Sequence, residues 1–303
     1  MFRERNPTTG EGYIEVQAVQ SGNEAEGKNR ELTFNKANVV SRRHTYPFHF
    51  HVPEYANSGH CKWIYSMSYG GGLVGGDTIS ATVKVGPGCA ALVSTQESTK
   101  VYHCNYSGET TQTTSYYIGD GSLLCVLPDA TVCYKDANFN QTQVVQMRPS
   151  SNLVLLDWML SGRLALDEFW AFKRYKNSIE VYVSDELIIK DCTDLADTPQ
   201  LTVSQGMRHF HVYGTLFVLG AGLQFLAEHL LGIYARKKNY NDAHDQDLIV
   251  SISPTQYTVN GDLISGCYLR FLASDMKNAA KVIQEITSPL IEILGGDPFE
   301  RKL

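Results

Sequence analysis

The stretch YGGGLVGGDTISATVKVGPGCAALVSTQESTKV, Tyr69 to Val101, decides how the rest of the chain is read. Five glycines fall within the seven positions 70–76. An alternating segment, a Gly-Pro-Gly turn, a second apolar segment and a polar cluster ending in Thr99-Lys100 follow. Gly70-x-Gly72-x-x-Gly75 has the spacing of a dinucleotide-binding loop, but such a loop works only when a helix follows and presents its N-terminus to the pyrophosphate. Here Ile79, Ala81, Val83 and Val85 alternate with Ser80, Thr82 and Lys84, which is the period of a strand. Asp77-Thr78 also stands where a phosphate-binding loop needs Lys followed by Ser or Thr. Nucleotide binding is set aside. The glycines are assigned instead to positive φ angles and to close approach between strands.

Outward from this run the pattern stays β. Strands are expected over residues 13–20, 34–41, 46–52 and 61–69 before it. After it they are expected over 110–118, 122–127, 140–148 and 152–156, then 169–175, 179–184 and 186–190 as a meander, and 209–219. Gly119-Asp120-Gly121 reads as a hairpin turn. Two segments are helical by spacing. Residues 223–234 carry Leu223, Leu226, Ala227, Leu230 and Leu231 on one face. Residues 275–294 start after Ser274 as N-cap, restart at Ser288-Pro289 and stop at Gly295-Gly296. Residues 1–12 are polar and expected to be disordered. With no Pro/Gly/Ser-rich linker and no fixed-period repeat, residues 13–303 are read as a single β-rich domain.

Composition bounds the function classes. The 303 residues, 43% hydrophobic and 19% charged, suit a soluble globular protein. A net charge of -6 gives no reason to bind nucleic acid or an anionic membrane. The most apolar stretch, 212–227, is shorter than the roughly 18–20 uninterrupted residues of a spanning helix, and is read as a buried strand leading into a helix. The N-terminus lacks the apolar core of a signal peptide, so a cytoplasmic location is the default. Seven cysteines without a CxxC spacing argue against a disulfide framework and a structural zinc site.

Three blocks of the opening stretch, Gly70–Asp77, Val83–Gly88 and Thr95–Tyr102, resemble the GGG-[LI]-V-x-GD, V-x-V-G-x-G and TQ-x-[AS]-TKVY blocks of the urease accessory protein D family (UreD/UreH). Pro128-Asp129 resembles a further block of that family, with Ala130 where proline is common. Asp157-Trp158, Gly162-Arg163 and Glu168 resemble its DW-x-x-x-GR-x-x-x-GE block, with Asp167 in place of the usual glycine. YPFHFHVP and KWIYSMSYGGG are similar to the longer, eukaryotic form. The resemblance runs over roughly residues 12–294, with 23–31 and 237–247 as variable insertions. DPFERKL does not match the family's basic, aromatic tail.

The resemblance implies a mostly β fold with strands stacked in two layers, β-helix-like, and about two helices in the C-terminal third. It implies an assembly protein and not an enzyme, with no tightly bound cofactor, acting with UreF, the GTPase UreG and apo-urease in a complex that can dimerise. A transient nickel ion is expected to pass through a polar internal tunnel. Asp77, Thr95, Lys100, Asp129 and Glu168 are then the path or motif-bearing polar residues, with Asp157 and Arg163 as an ion pair organising a loop. Oxygen ligands that hold nickel weakly suit such a path better than a closed Cys/His cage.

Two readings of other classes stay open. His49/His51 and His209/His211 each place two imidazoles on one strand face, and two such pairs meeting would hold nickel or zinc in a metalloenzyme. No Asp, Glu or Cys lies at ligand spacing around them, so isolated core or surface histidines account for them better than a metal site does. A structural adaptor that never touches nickel is the other. No GxSxG, HExxH or catalytic cysteine context is present.

Overall fold

The computed structural model describes residues 8–19, 32–53, 60–103, 108–235, 247–300 and 302. Three strands open it: β1 (Thr9–Ala18), β2 (Ala37–His44) and β3 (Phe48–His51). Next come β4 (Cys61–Ser68), β5 (Thr78–Val85), β6 (Ala90–Thr95), β7 (Thr99–Val101) and β8 (Thr110–Ile118). The coil continues with β9 (Leu123–Val126), β10 (Thr131–Cys133), β11 (Asn138–Met147), β12 (Asn152–Leu160) and β13 (Arg174–Val183). The remainder is β14 (Glu186–Leu195), α1 (Val203–Met207), β15 (Val212–Leu219), α2 (Gln224–Tyr234), β16 (Leu248–Val259), β17 (Asp262–Ala273), α3 (Met276–Thr287) and α4 (Ile291–Leu294).

From β4 to β13 the chain winds as a flattened coil whose long strands alternate between two sheets. One sheet has the order β14-β13-β11-β8-β5-β1-β2, the other β16-β17-β15-β12-β9-β6-β4-β3. Within the coil every pairing is parallel, β5-β8-β11-β13 on one side and β4-β6-β9-β12 on the other; hairpins and antiparallel strands finish the edges. This is the mostly β, two-layered, stacked-strand fold with late helices that the family resemblance implied.

The two sheets read differently because their surroundings differ. β5, β11 and β13 alternate buried and less buried residues, since only one of their faces is covered. β6, β9 and β12 are buried along almost their whole length. Their inner face packs Leu124, Val126, Leu153 and Leu155 against Ile79, Val83, Phe139, Val145 and Val181 of the facing sheet. Their outer face packs Leu92, Cys125, Val154 and Leu156 against Leu226 and Leu230 of α2 and Val282, Ile283 and Ile286 of α3. Each fully buried Leu or Ile side chain contributes about 1.5–3 kcal/mol.

Several expectations are corrected. Residues 9–12 are strand and not disordered, because β1 pairs in parallel with β5 from Thr9 onward. Gly119-Asp120-Gly121 is no hairpin: it carries the chain from β8 in one sheet to β9 in the other. The meander over 169–190 is one hairpin, β13–β14, turning at Ser184-Asp185 with φ of 48° and 68°. β16 was missed although Asn260-Gly261, at φ of 52° and 91°, closes its hairpin with β17. Asp275, not Ser274, caps α3, its side chain accepting from Asn278 N at 2.8 Å. α1 is a short helix that the spacing did not suggest, whereas α4, ending at Gly295, is the expected restart after Ser288-Pro289. The expected insertions lie outside the described residues, save Asp247, as do the disorder expected of residues 1–7 and any reading of Cys104. Of the described cysteines only Cys192, on edge strand β14, is exposed; the others are buried thiols.

The coil has two unlike ends. At one, the corners 86–89, 119–122 and 148–151 are tight and stack on each other, with Gly88 N donating to Asp120 O and Ser122 Oγ to Gly86 O. At the other, the connections 69–77, 127–137 and 161–173 and the described part of a fourth, 96–103, are long, and the blocks Gly70–Asp77, Thr95–Tyr102 and Pro128-Asp129 lie there with Gly162-Arg163 and Glu168. β7, β10 and an isolated bridge between Leu73 and Val101 pair these connections into a small parallel stack.

Candidate functional site

At the long-loop end a cavity of about 230 Å³ opens between the sheets. Its mouth is formed by residues 94–99, Gly71, Gly72, Pro128 and Asp129. It runs inward past Gln112, Thr114 and Tyr116 to Gln141, Gln143 and Asp157. That volume has room for several water molecules.

The glycine block shapes this mouth. Gly76 has φ of 87°, a conformation that favours glycine. A Cβ on Gly72 would lie 2.4 Å from the carbonyl oxygen of Lys100, so only glycine lets the two loops meet there. Asp77 follows, fully buried, with Oδ1 accepting from Thr8 N and Thr8 Oγ1 and Oδ2 from Val74 N, at 2.8, 3.0 and 3.0 Å. Asp77 therefore staples a turn and does not line the cavity. Lys100 also stays outside it, its ammonium 3.3 Å from Glu97 Oε2.

Thr95 and Asp129 do come together, from the ends of β6 and the connection after β9. Thr95 Oγ1 accepts from Asp129 N at 2.8 Å and donates to Asp129 Oδ2 at 3.2 Å. Both residues are 8% exposed. Lys302 Nζ lies 2.8 Å from Asp129 Oδ2 and 2.8 Å from the Thr95 carbonyl oxygen.

Asp157 departs most from expectation. It sits within β12, pointing between the sheets, and does not pair with Arg163. Its Oδ1 accepts from Gln141 Nε2 at 2.6 Å and Gln143 Nε2 at 3.0 Å. Its Oδ2 accepts from Asn177 Nδ2 at 2.9 Å and Tyr175 OH at 3.1 Å. Burial pushes its pKa up to about 6, against the lowering effect of these donors, with Asp191 adding a smaller upward push.

Asp157 belongs to a polar seam that crosses the sandwich at right angles to the strands. In one sheet Gln112, Gln141, Asn177 and Thr193 are register partners from β8 to β14. In the other, Asp157, Thr215 and Arg270 are register partners from β12 to β17. Beyond the cavity the seam continues through hydrogen bonds: Tyr213 OH lies 3.1 Å from Thr193 Oγ1 and 3.2 Å from Thr215 Oγ1. It ends where Asp191, accepting from Tyr268 OH at 3.1 Å, forms an ion pair with the part-exposed Arg270. Most of these residues escaped the sequence reading. Their signal was present: in β11 the inward phase Phe139, Gln141, Gln143, Val145, Met147 interrupts an apolar row with two amides.

Glu168 lies in the neighbouring loop, not in the cavity wall. Arg163 grips it with two hydrogen bonds, Nε to Oε2 at 2.8 Å and Nη2 to Oε1, and Lys135 N donates to Oε2 at 3.4 Å. The Arg163 hydrogen bond and the Lys135 amide hold its carboxyl below the ordinary range. Arg163 also stacks over Tyr134, 4.5 Å from the ring centre. Asp167, where glycine is usual in the family's pattern, has φ of 55°. That conformation explains the glycine, and Asp is among the side chains that tolerate it.

The two His-x-His pairs do not meet, and among the described residues no three His, Cys, Asp or Glu side chains converge to hold a metal. His49, on β3, lies beside His44 and Tyr69, at 5.7 and 4.6 Å between ring centres. Burial and then the nearby His44 and His51 depress its pKa. His209 and His211 precede β15 and are not on a strand; His211 Nδ1 lies 3.2 Å from Ser161 Oγ.

Fold and site define a class: a coiled two-sheet β protein whose long loops gather at one end around a polar passage into the core. Comparison with known proteins places it further. The family model for UreD urease accessory protein matches residues 29–302, and the chain belongs to that family. It is 37% identical over 182 residues to urease accessory protein D of Arabidopsis thaliana, covering 59% of this chain and 62% of the relative. It is 35% identical over 187 residues to the protein of that name from Oryza sativa subsp. indica, covering 61% of each. Urease accessory protein UreD of Anaeromyxobacter sp. is 31% identical over 244 residues, 80% of this chain and 78% of the relative. The chain thus spans about three fifths of the length of the plant relatives it matches. Among the described residues no helix is long and apolar enough to cross a membrane.

Proposed function

We propose that this protein is a cytoplasmic, non-enzymatic accessory factor in urease maturation. It binds apo-urease together with UreF and UreG and passes nickel ions along the seam between its sheets. The supporting observation is the register-aligned polar row, with Asp157 at its centre, through what is otherwise an apolar sandwich. Burying amides, hydroxyls and a carboxylate there costs stability that apolar side chains would not. A conduit gives the row a purpose. Carboxylate, amide and hydroxyl oxygens with water ligate nickel loosely, so an ion can step from one to the next and leave.

Gln143→Leu tests this, because it places an apolar side chain in the cavity wall beside Asp157 at similar volume. Co-expressed with urease and its other accessory proteins, the variant is expected to lower urease activity by about tenfold or more while still co-purifying with its partners. Wild-type activation by Gln143→Leu and by a Thr114→Val, Gln143→Leu double variant would remove the conduit and leave the adaptor reading.

A further inference from the structure

Asp129, in the wall of the cavity, already holds a cation, one belonging to the protein. Lys302 Nζ donates to Asp129 Oδ2 and to the Thr95 carbonyl, both at 2.8 Å, and lies 5.9 Å from the centre of the Tyr65 ring. Its side chain is 25% exposed and that of Asp129 only 10%, so the ammonium covers a nearly buried carboxylate. Nothing in the family-like blocks prepared for this contact, since Lys302 falls in the segment that departs from the family's tail.

The segment carrying Lys302 is anchored on the cavity's own wall. α4 ends at Gly295, with φ of 76°, and Asp297 Oδ1 then accepts from Phe299 N at 2.9 Å. Phe299 is 3% exposed and packs edge-on to Trp158, 6.5 Å between ring centres. Trp158 lines the cavity and donates from Nε1 to Pro128 O at 2.8 Å, next to Asp129. Lys302 N closes the turn on Phe299 O at 2.9 Å. Phe299 is thus the pivot, and Lys302 reaches from it to Asp129 and the Thr95 carbonyl.

We infer that Asp129 Oδ2 and the Thr95 carbonyl form a cation site at the cavity mouth that Lys302 occupies as a tethered competitor for a divalent ion. The ligand class follows from the donors. A carboxylate oxygen, a carbonyl oxygen and the adjacent Thr95 hydroxyl, completed by water, suit a hard or borderline divalent cation. An ammonium and a metal ion cannot share the same Oδ2 face, so Lys302 withdraws before the ion loads. Lysine is suited to withdrawing, as a point charge on a flexible four-carbon stem without the bidentate fork by which arginine locks a carboxylate. The inference rests on the nickel-conduit reading and adds a closure to it.

The test is nickel chloride binding to the purified full chain, by calorimetry or equilibrium dialysis, for wild type, Lys302→Met, Phe299→Ala, Asp129→Asn and Lys302→Met/Asp129→Asn. With the site open in about a tenth of wild-type molecules, removal of the competitor tightens nickel binding about tenfold. Phe299→Ala keeps the charge but detaches the pivot, and is expected to give a similar gain. Asp129→Asn abolishes the gain in the double variant. Lys302→Met is a surface change, so a thermal melt at the wild-type temperature keeps its result interpretable even if Phe299→Ala folds poorly. Unchanged affinity in Lys302→Met, with weaker binding in Asp129→Asn, would overturn the closure and leave the conduit. Nickel binding indifferent to Asp129 would overturn both at this mouth. A gain in Lys302→Met without one in a folded Phe299→Ala would reduce Lys302 to a general charge and likewise overturn tethering.

Discussion

Replacing Asp157 by Asn should change how stability depends on pH, and the size of the change follows from its surroundings. The carboxyl has an ordinary value of 3.8 and is pushed up to about 6 by burial. The native state therefore binds this proton more tightly than the unfolded chain does. Stability from this group is fully present below pH 3.8 and is lost as pH rises through 6. At about 1.36 kcal/mol per pH unit, the full loss is about 3 kcal/mol, of which about 2 kcal/mol falls between about pH 4 and pH 7. Asparagine has no proton to lose. It also replaces one oxygen, the acceptor of two of the hydrogen bonds from Gln141, Gln143, Tyr175 and Asn177, by a donor, but that offset does not vary with pH. Urea unfolding of both proteins across pH 4–7 isolates the effect as a difference of free energies. Wild type should fall relative to Asp157→Asn by about 2 kcal/mol over that range. Parallel curves, or a wild type that gains on the variant as pH rises, would refute the placement of an ionisable carboxyl in the seam. In the proposed conduit the same titration bears on function, because Asp157 would carry a charge for a passing cation only above about pH 6.

Tyr175→Phe removes a donor that lowers the Asp157 pKa, so carbon NMR of labelled aspartates should show that titration moving upward; no movement would mean that the 3.1 Å contact does not persist. Gly72→Ala forces a Cβ to 2.4 Å from the Lys100 carbonyl, a backbone atom that cannot swing aside. It should cost about 2 kcal/mol or more in denaturant unfolding, against a few tenths if the loops part freely. Asp275→Ala removes the α3 cap seen at 2.8 Å and should lower stability by about 1 kcal/mol, with Asp275→Asn close to wild type in the same measurement.

The β-rich character of the chain was legible because it rests on local periods, whereas the stacking in two layers was implied by the family resemblance. Alternation over β5, β11 and β13 and the unbroken apolar runs of β6, β9 and β12 reflect one covered face or two, and the chain states this directly. The helices at Gln224–Tyr234 and Met276–Thr287 announced themselves by spacing, and Thr95 and Asp129 were both candidates because each falls in a family-like block, but only the structure shows that they pair. Asp157 shows where such reading stops. Close in sequence to an arginine, it suggested a loop ion pair, yet the strand continues through it and turns its side chain between the sheets. Whether a polar residue on the inward phase meets other polar residues depends on register across strands that lie far apart in sequence. Gln112, Gln141, Asn177 and Thr193 align only when four strands are set side by side. Lys302 meets Asp129 across 173 positions of chain. Sequence by itself determined the strands, the glycine-shaped turns and the family, because those are properties of neighbours. Tertiary structure decided which polar side chains form the seam and what closes it, because long-range register and packing carry that information.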